Sequence, residues 1–291
     1  MDPRSLYKFA SFSRLSVRAG VRDEFTELLE EVLTKAMAKF AVVDSRRWIQ
    51  FILKLLENLS TLQIEEFSAL ERRMFRMFYM TIWGKAFDEE SREALAEKLT
   101  ALAGSPVMVQ ELQELLRYQY DRIDFIDEPV NLGFDCPLDL HCSYSRDQIL
   151  AAMDFLKPAT VREGVKWLPE QKLDVFFVTL NKSDKDYSPT TMYNDYSINE
   201  TLFHWQSQST TGEQSATGQR YIHHKERGSR ILLFVREFKS DCISNTAAAY
   251  TYLGIVNYVK HEGSKPMNIT WRLDAPIPAK YLRKTNKLVV G

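Results

Sequence analysis

Leu173-Asp174-Val175-Phe176-Phe177-Val178-Thr179-Leu180 is a short apolar run, rich in β-branched and aromatic residues and closed by the polar Asn181-Lys182-Ser183. A run of that length and composition reads as a buried strand. Three more of the same kind follow, Ile231 to Phe238, Tyr250 to Val259 and Ile269 to Leu273. No helical pattern of comparable quality lies between them. Residues 161–291 are therefore expected to form a mainly β domain, a curled sheet or barrel rather than a doubly wound fold.

Upstream, the apolar period changes from two to about 3.6 residues. Phe25, Leu28, Leu29, Val32, Leu33, Ala36, Met37 and Phe40 mark a helix over 24–40. Trp48 to Leu59 and Ile64 to Trp83 mark two more, the latter apolar nearly all round towards its end, as suits a helix central in a bundle. Asp88 reads as an N-cap with Glu89 and Glu90 in the first turn, Gly104 and Pro106 end that segment, and another helix covers 107–122. Residues 1–130 are thus predicted to be a helical domain with short connections. Glu128-Pro129-Val130-Asn131-Leu132-Gly133 and Cys136-Pro137 read as a linker. Residues 131–160 also hold one connecting helix, with Ser145 and Gln148 as a capping box and Pro158 as its stop. The expected fold class is α+β, a helical bundle followed by a curled β domain. Ser11 to Gly20 looks like the tail of a short helix with a glycine stop, so the chain is expected to start inside a larger protein.

With 291 residues, 45% hydrophobic and 26% charged side chains, the chain falls outside the disordered, collagenous, coiled-coil and disulfide-scaffold classes. Its three cysteines fit a reducing, cytoplasmic setting. No apolar segment follows Met1-Asp2-Pro3-Arg4. Met74 to Trp83, the most apolar stretch, contains Arg76 and is far shorter than the roughly 20 residues of a membrane span, so no membrane partner is expected. Residues 1–130 carry 18 Lys and Arg against 22 Asp and Glu, whereas residues 131–291 carry 20 against 17. The β half is the basic one.

Tyr187 to Tyr221 is polar, aromatic and poor in aliphatics, the composition of a connection that carries function. Tyr193 and Tyr196 flank Asn194 and Asp195, which offers flat π faces beside groups able to bond a base edge. The alternative is a long surface loop whose tyrosines cover the barrel. Arg220, His223, His224, Lys225, Arg227 and Arg230 form a basic run opposed only by Glu226, suited to phosphate contacts or to a solvated hairpin. Enzymatic motifs mostly fail. No Gly-x-x-x-x-Gly-Lys-Ser/Thr string is present. His223-His224-Lys225 starts like a phospholipase-D-type motif, but Arg230 stands where Asp is needed. Cys136, His141 and Cys142 match no zinc spacing, so neither a metal nor another cofactor is expected. Glu237-Phe238-Lys239, with Asp195 or Asp174, leaves a metal-dependent nuclease as an alternative.

The strings Phe176 to Ser183, Ser188 to Tyr196, Phe203-His204-Trp205-Gln206-Ser207-Gln208, Thr217-Gly218-Gln219-Arg220-Tyr221 and Leu233-Phe234-Val235-Arg236-Glu237 resemble a domain labelled DUF3427. Tyr252-Leu253-Gly254, His261-Glu262-Gly263 and Pro266 to Leu273 follow the same pattern, so the resemblance covers 131–280. It implies the carboxyl-terminal part of a bacterial superfamily 2 helicase, often preceded by a phospholipase-D-like nuclease, in enzymes that restrict modified DNA and defend against phage. Those helicase and nuclease regions would be partners in cis or in trans. The resemblance further implies a non-catalytic target-recognition module for double-stranded DNA carrying 5-methylcytosine, with a fold similar to SRA and PUA-like curled barrels.

SRA-type domains extrude a modified cytosine and hold it between aromatic rings, and Tyr193, Asp195 and Tyr196 match those residue types. In the implied site Tyr193 and Tyr196 stack on the base with Asn194 beside them, and Asp195 accepts from the exocyclic amine. His204, Trp205, Gln206 and Ser207 complete the pocket or fill the gap in the duplex. Arg220, His223, His224, Lys225 and Arg230 meet phosphates. Two alternatives stay open: His204-Trp205-Gln206 supports the barrel from inside, or the chain is a protein-docking module of the helicase.

Overall fold

Ser11, Ser45, Ser68, Ser91 and Ser145 each accept a hydrogen bond from the backbone N–H three residues on, and each starts a helix. The computed structural model describes residues 3–181, 195–243 and 246–285. The chain divides into two units, Met1–Val161 with Asp241–Ala249, and Arg162–Ser240 with Tyr250–Gly291. The architecture is α+β. No helix among the described residues is long and apolar enough to cross a membrane.

The first unit contains α1 (Pro3–Leu6), α2 (Phe12–Arg18), α3 (Glu30–Phe40), α4 (Arg46–Glu57), α5 (Ala69–Trp83), α6 (Arg92–Ala103), α7 (Pro106–Asp121), a two-residue strand β1 (Ser143–Tyr144) and α8 (Arg146–Ala152). α5 is central, as its all-round apolar sequence predicts, and every residue from Met74 to Ile82 is buried. Arg76 is part of that run because Asp88 and Asp154 take its guanidinium at 2.7 and 2.6 Å.

Three expectations shift. The helix read over 24–40 begins only at Glu30, because Arg14 binds Glu24, Glu30 and the Phe25 carbonyl and holds that stretch open, leaving Leu28 82% exposed. The N-cap of α6 is Ser91 and not Asp88, whose carboxylate serves Arg72 and Arg76. Residues 131–160, the expected linker and connecting helix, fall in the first unit. There Gln148 donates to the Thr81 hydroxyl at 3.0 Å, and Asp154 binds Arg73 and Arg76. The Ser145–Gln148 capping box forms as read.

The second unit holds β2 (Val165–Leu168), β3 (Leu173–Thr179), β4 (Tyr196–Ser197), β5 (Leu202–Gln206), α9 (Ala216–Ile222), β6 (Arg230–Arg236), β7 (Tyr250–Glu262), β8 (Asn268–Leu273) and α10 (Ala279–Thr285). The strands run β2-β3-β6-β7-β8-β5-β4, an open mixed sheet. β3 and β6 pair in parallel, and the other neighbours are antiparallel. β3 is buried along its whole length, as its unbroken apolar run requires. One face carries the core of Phe176, Val178, Phe203, Trp205, Tyr221, Leu233, Ile269 and Trp271. α9 and α10 were not legible as helices among these strands.

Candidate nucleic-acid interface

Side chains alternate across a strand, and β5 follows that rule. Phe203 and Trp205 point into the core, whereas His204 and Gln206 are half-buried on the other face. Trp205 stacks on Phe176, with centroids 4.2 Å apart and planes at 20°. Ser207 is fully buried, and its hydroxyl accepts from Met267 N–H at 2.9 Å and lies 3.1 Å from the Thr211 carbonyl, to which it donates. Trp205 and Ser207 therefore belong to the body of the sheet.

On the opposite face, β4 pairs Tyr196 with His204, and the two rings lie 4.7 Å apart at 11°. The Gln206 amide donates to Asn268 Oδ1 at 3.3 Å. Asp195, only 2% exposed, accepts the Gln206 backbone N–H at 3.0 Å, which fixes its carboxylate at the start of β4. Tyr193 and Asn194 lie outside the described residues.

The basic run splits into two groups. Arg220, on α9, is committed to the fully buried Asp174 at 2.7 and 2.9 Å, with the Trp167 ring 4.4 Å from its guanidinium carbon. Burial lifts the Asp174 carboxyl above the ordinary range against the pull of Arg220. His224 is also internal. Its Nε2 accepts from the Tyr258 N–H at 3.1 Å, which leaves Nδ1–H to donate to the Ser229 carbonyl at 3.3 Å. Burial lowers the His224 pKa, so this ring is neutral at pH 7. His223 pairs with Glu226 at 3.0 Å near the surface. Lys225 and Arg227 are exposed with no acidic partner among the described residues, and Arg230 opens β6, half-buried.

Strand register brings one set of these groups together. Gln206 is level with Asn268, which is level with Glu262 at the end of β7. Ile231, at the start of β6, is level with Val256, six residues short of Glu262, and His224 is bonded to the Tyr258 N–H between them. α9, which leads into the basic turn, packs through Tyr221 on the Trp205 and Trp271 face. Lys225 and Arg227 thus follow an element of the core face, whereas Tyr196, His204 and Gln206 group on the opposite one. Asn268 joins them through strand register, a relationship that no local sequence signal reveals.

Glu237 and Lys239 are not brought to either acid. Arg236 is level with the start of β7, so Glu237 stands some 12 residues, or about 40 Å of strand, from the level of Asp195. Asp174 pairs with Ile231, about 20 Å of strand away, and is occupied by Arg220.

In the first unit Cys136 and Cys142 are free thiols, and burial pushes Cys136 up to about 12. A cluster not evident from spacing joins Cys142 to Asp127 and Asp139. Its carboxylates are taken by Arg46, Arg47 at 2.6 Å and the Ser45 hydroxyl at 2.6 Å, so it balances charge internally.

The model of a domain of unknown function, DUF3427, matches residues 138–284. No curated protein matches the chain. The matched region includes β2 to β8, α9 and every described residue of the candidate interface, and the chain belongs to the DUF3427 family.

Proposed function

We propose that the second unit is a DNA-binding, target-recognition module that reads a modified cytosine by extruding it from the duplex. The observation that carries this reading is the grouping around β4 and β5: the Tyr196 and His204 rings, the anchored Asp195 carboxylate and the Gln206 and Asn268 amides, in a unit that also exposes Lys225 and Arg227. Tyr196 stacks on the base with His204 behind it, Asp195 accepts from the cytosine amine, and Gln206 bonds a base edge. Lys225, Arg227 and Arg230 contact phosphates, while Arg220 and His224 hold the structure that presents them. Tyr193 and Asn194 precede Asp195 directly and belong to the same reading.

An SRA/PUA-like curl fits this sheet. Bulges between Leu233 and Phe234 and between Tyr258 and Lys260 add twist on both sides of β7. The parent system in this reading is a cytoplasmic helicase-linked restriction or defence enzyme, with helicase and phospholipase-D-like nuclease regions in cis or in trans.

The test compares duplexes with and without 5-methylcytosine over a range of salt. Tighter binding of the methylated duplex is expected, with Asp195→Ala removing the difference and leaving nonspecific binding. Equal affinity for both duplexes at every salt concentration overturns the cytosine reading.

A further inference from the structure

Outside the family match, the first unit contains a cavity of about 480 Å³ that the DNA reading does not use. Leu6, Leu115, Phe12 and Tyr118 form its apolar wall. Phe12 is 56% and Tyr118 41% exposed, large aromatic surfaces for a region without an assigned partner. The acidic side is equally distinct. Glu111 is buried and accepts the N–H groups of Phe12 and Ser13 at 2.7 and 2.8 Å, which fixes a carboxylate at the start of α2. Glu114, one turn further along α7, is exposed, and among the described residues none lining the cavity is basic. Burial first, and then the charges of Glu111 and Glu114, raise the Tyr7 phenol above its ordinary value. Arg122 already lies 5.2 Å from the Tyr118 ring centre, so this rim accommodates a guanidinium over an aromatic face.

We propose that this groove docks an amphipathic segment of a partner protein, with an apolar side chain in the cavity and an Arg or Lys reaching Glu114. Charge complementarity selects that occupant. The aliphatic stem of a basic residue packs on Leu115 and Tyr118 while its head stays at the wet acidic rim. An acidic segment meets two carboxylates, and an uncharged one leaves the Glu114 charge, which among the described residues only the neutral Gln110 amide bonds, without a counter-charge.

The test is a peptide-display selection on the full chain, followed by titration of the selected peptides. Enriched peptides are expected to share an apolar residue and an Arg or Lys about one helical turn apart, and to weaken as salt rises. Glu114→Lys, at an exposed position, should reduce their affinity at least tenfold with an unchanged melting temperature, and Phe12→Ser should also weaken them. Three results overturn the proposal: no enrichment, equal binding to Glu114→Lys, or self-association of the chain that Phe12→Ser abolishes, which assigns the groove to a second copy. None of these outcomes depends on whether the second unit binds DNA.

Discussion

Arg220 holds Asp174 by two hydrogen bonds, Nε to one carboxylate oxygen at 2.7 Å and Nη2 to the other at 2.9 Å, and so ties α9 to β3. Removing one member leaves the other charge buried and unmatched. Asp174→Ala is expected to lower the stability of the second unit by about 3–5 kcal/mol, measured by urea denaturation. Replacing both residues with apolar side chains of similar volume should be much milder, because no orphaned charge remains.

His224 makes the second unit sensitive to acid. Its folded pKa lies below the unfolded value of about 6.5, because burial and the Tyr258 N–H both disfavour the proton. As pH falls below that value the unfolded chain takes up the proton first. The contribution of His224 is therefore fully present above about pH 6.5 and is lost as the pH drops through the lowered folded value. Denaturation midpoints from pH 8 to 5 should show this decline, and His224→Gln should flatten it.

Lys225 and Arg227 project without acidic partners among the described residues. If each meets a phosphate, Lys225→Ser or Arg227→Ser should reduce the slope of log affinity against log salt by about one. The loss should be the same for methylated and plain duplexes. A slope unchanged in both variants would remove these residues from the interface.

Gly218 sits inside α9 with the Gly212 carbonyl so near that an added Cβ would lie 2.1 Å from its oxygen. Gly218→Ala should destabilise the second unit by about 1–3 kcal/mol despite the better helix propensity of alanine. A rise in melting temperature would contradict this packing.

Legibility in the sequence followed the range of the forces involved. The run at 173–180 and the Ser145–Gln148 box are local signals, and both appear where read. α9 was missed because Thr217 and Gly218 are poor helix formers and the helix depends on Asp174, 46 residues upstream of Arg220, and on the close fit to Gly212. The start of α3 was misplaced for a similar reason, since Arg14 competes for its first residues. At the candidate interface the residue types drew attention to 193–207, but a group read as one pocket contains both faces of β5. Period-two alternation separates His204 and Gln206 from Trp205 and Ser207 once the stretch is known to be a strand. The company of Asn268 needs the sheet order.

The parallel pairing of β3 with β6 also sets when the interface can exist. The chain must close residues 180–229 into a loop before Phe176 meets Leu233, and Asp195, Tyr196, His204, Gln206, Lys225 and Arg227 all lie inside that loop. Closure on this scale is slow compared with helix formation, so the first unit can consolidate while the second remains open. During synthesis, Asp195, Tyr196, His204 and Gln206 emerge more than 60 residues before Asn268 of β8, which completes their surroundings. In the proposed reading, binding then waits on the most non-local pairings of the chain and is a late event in its folding.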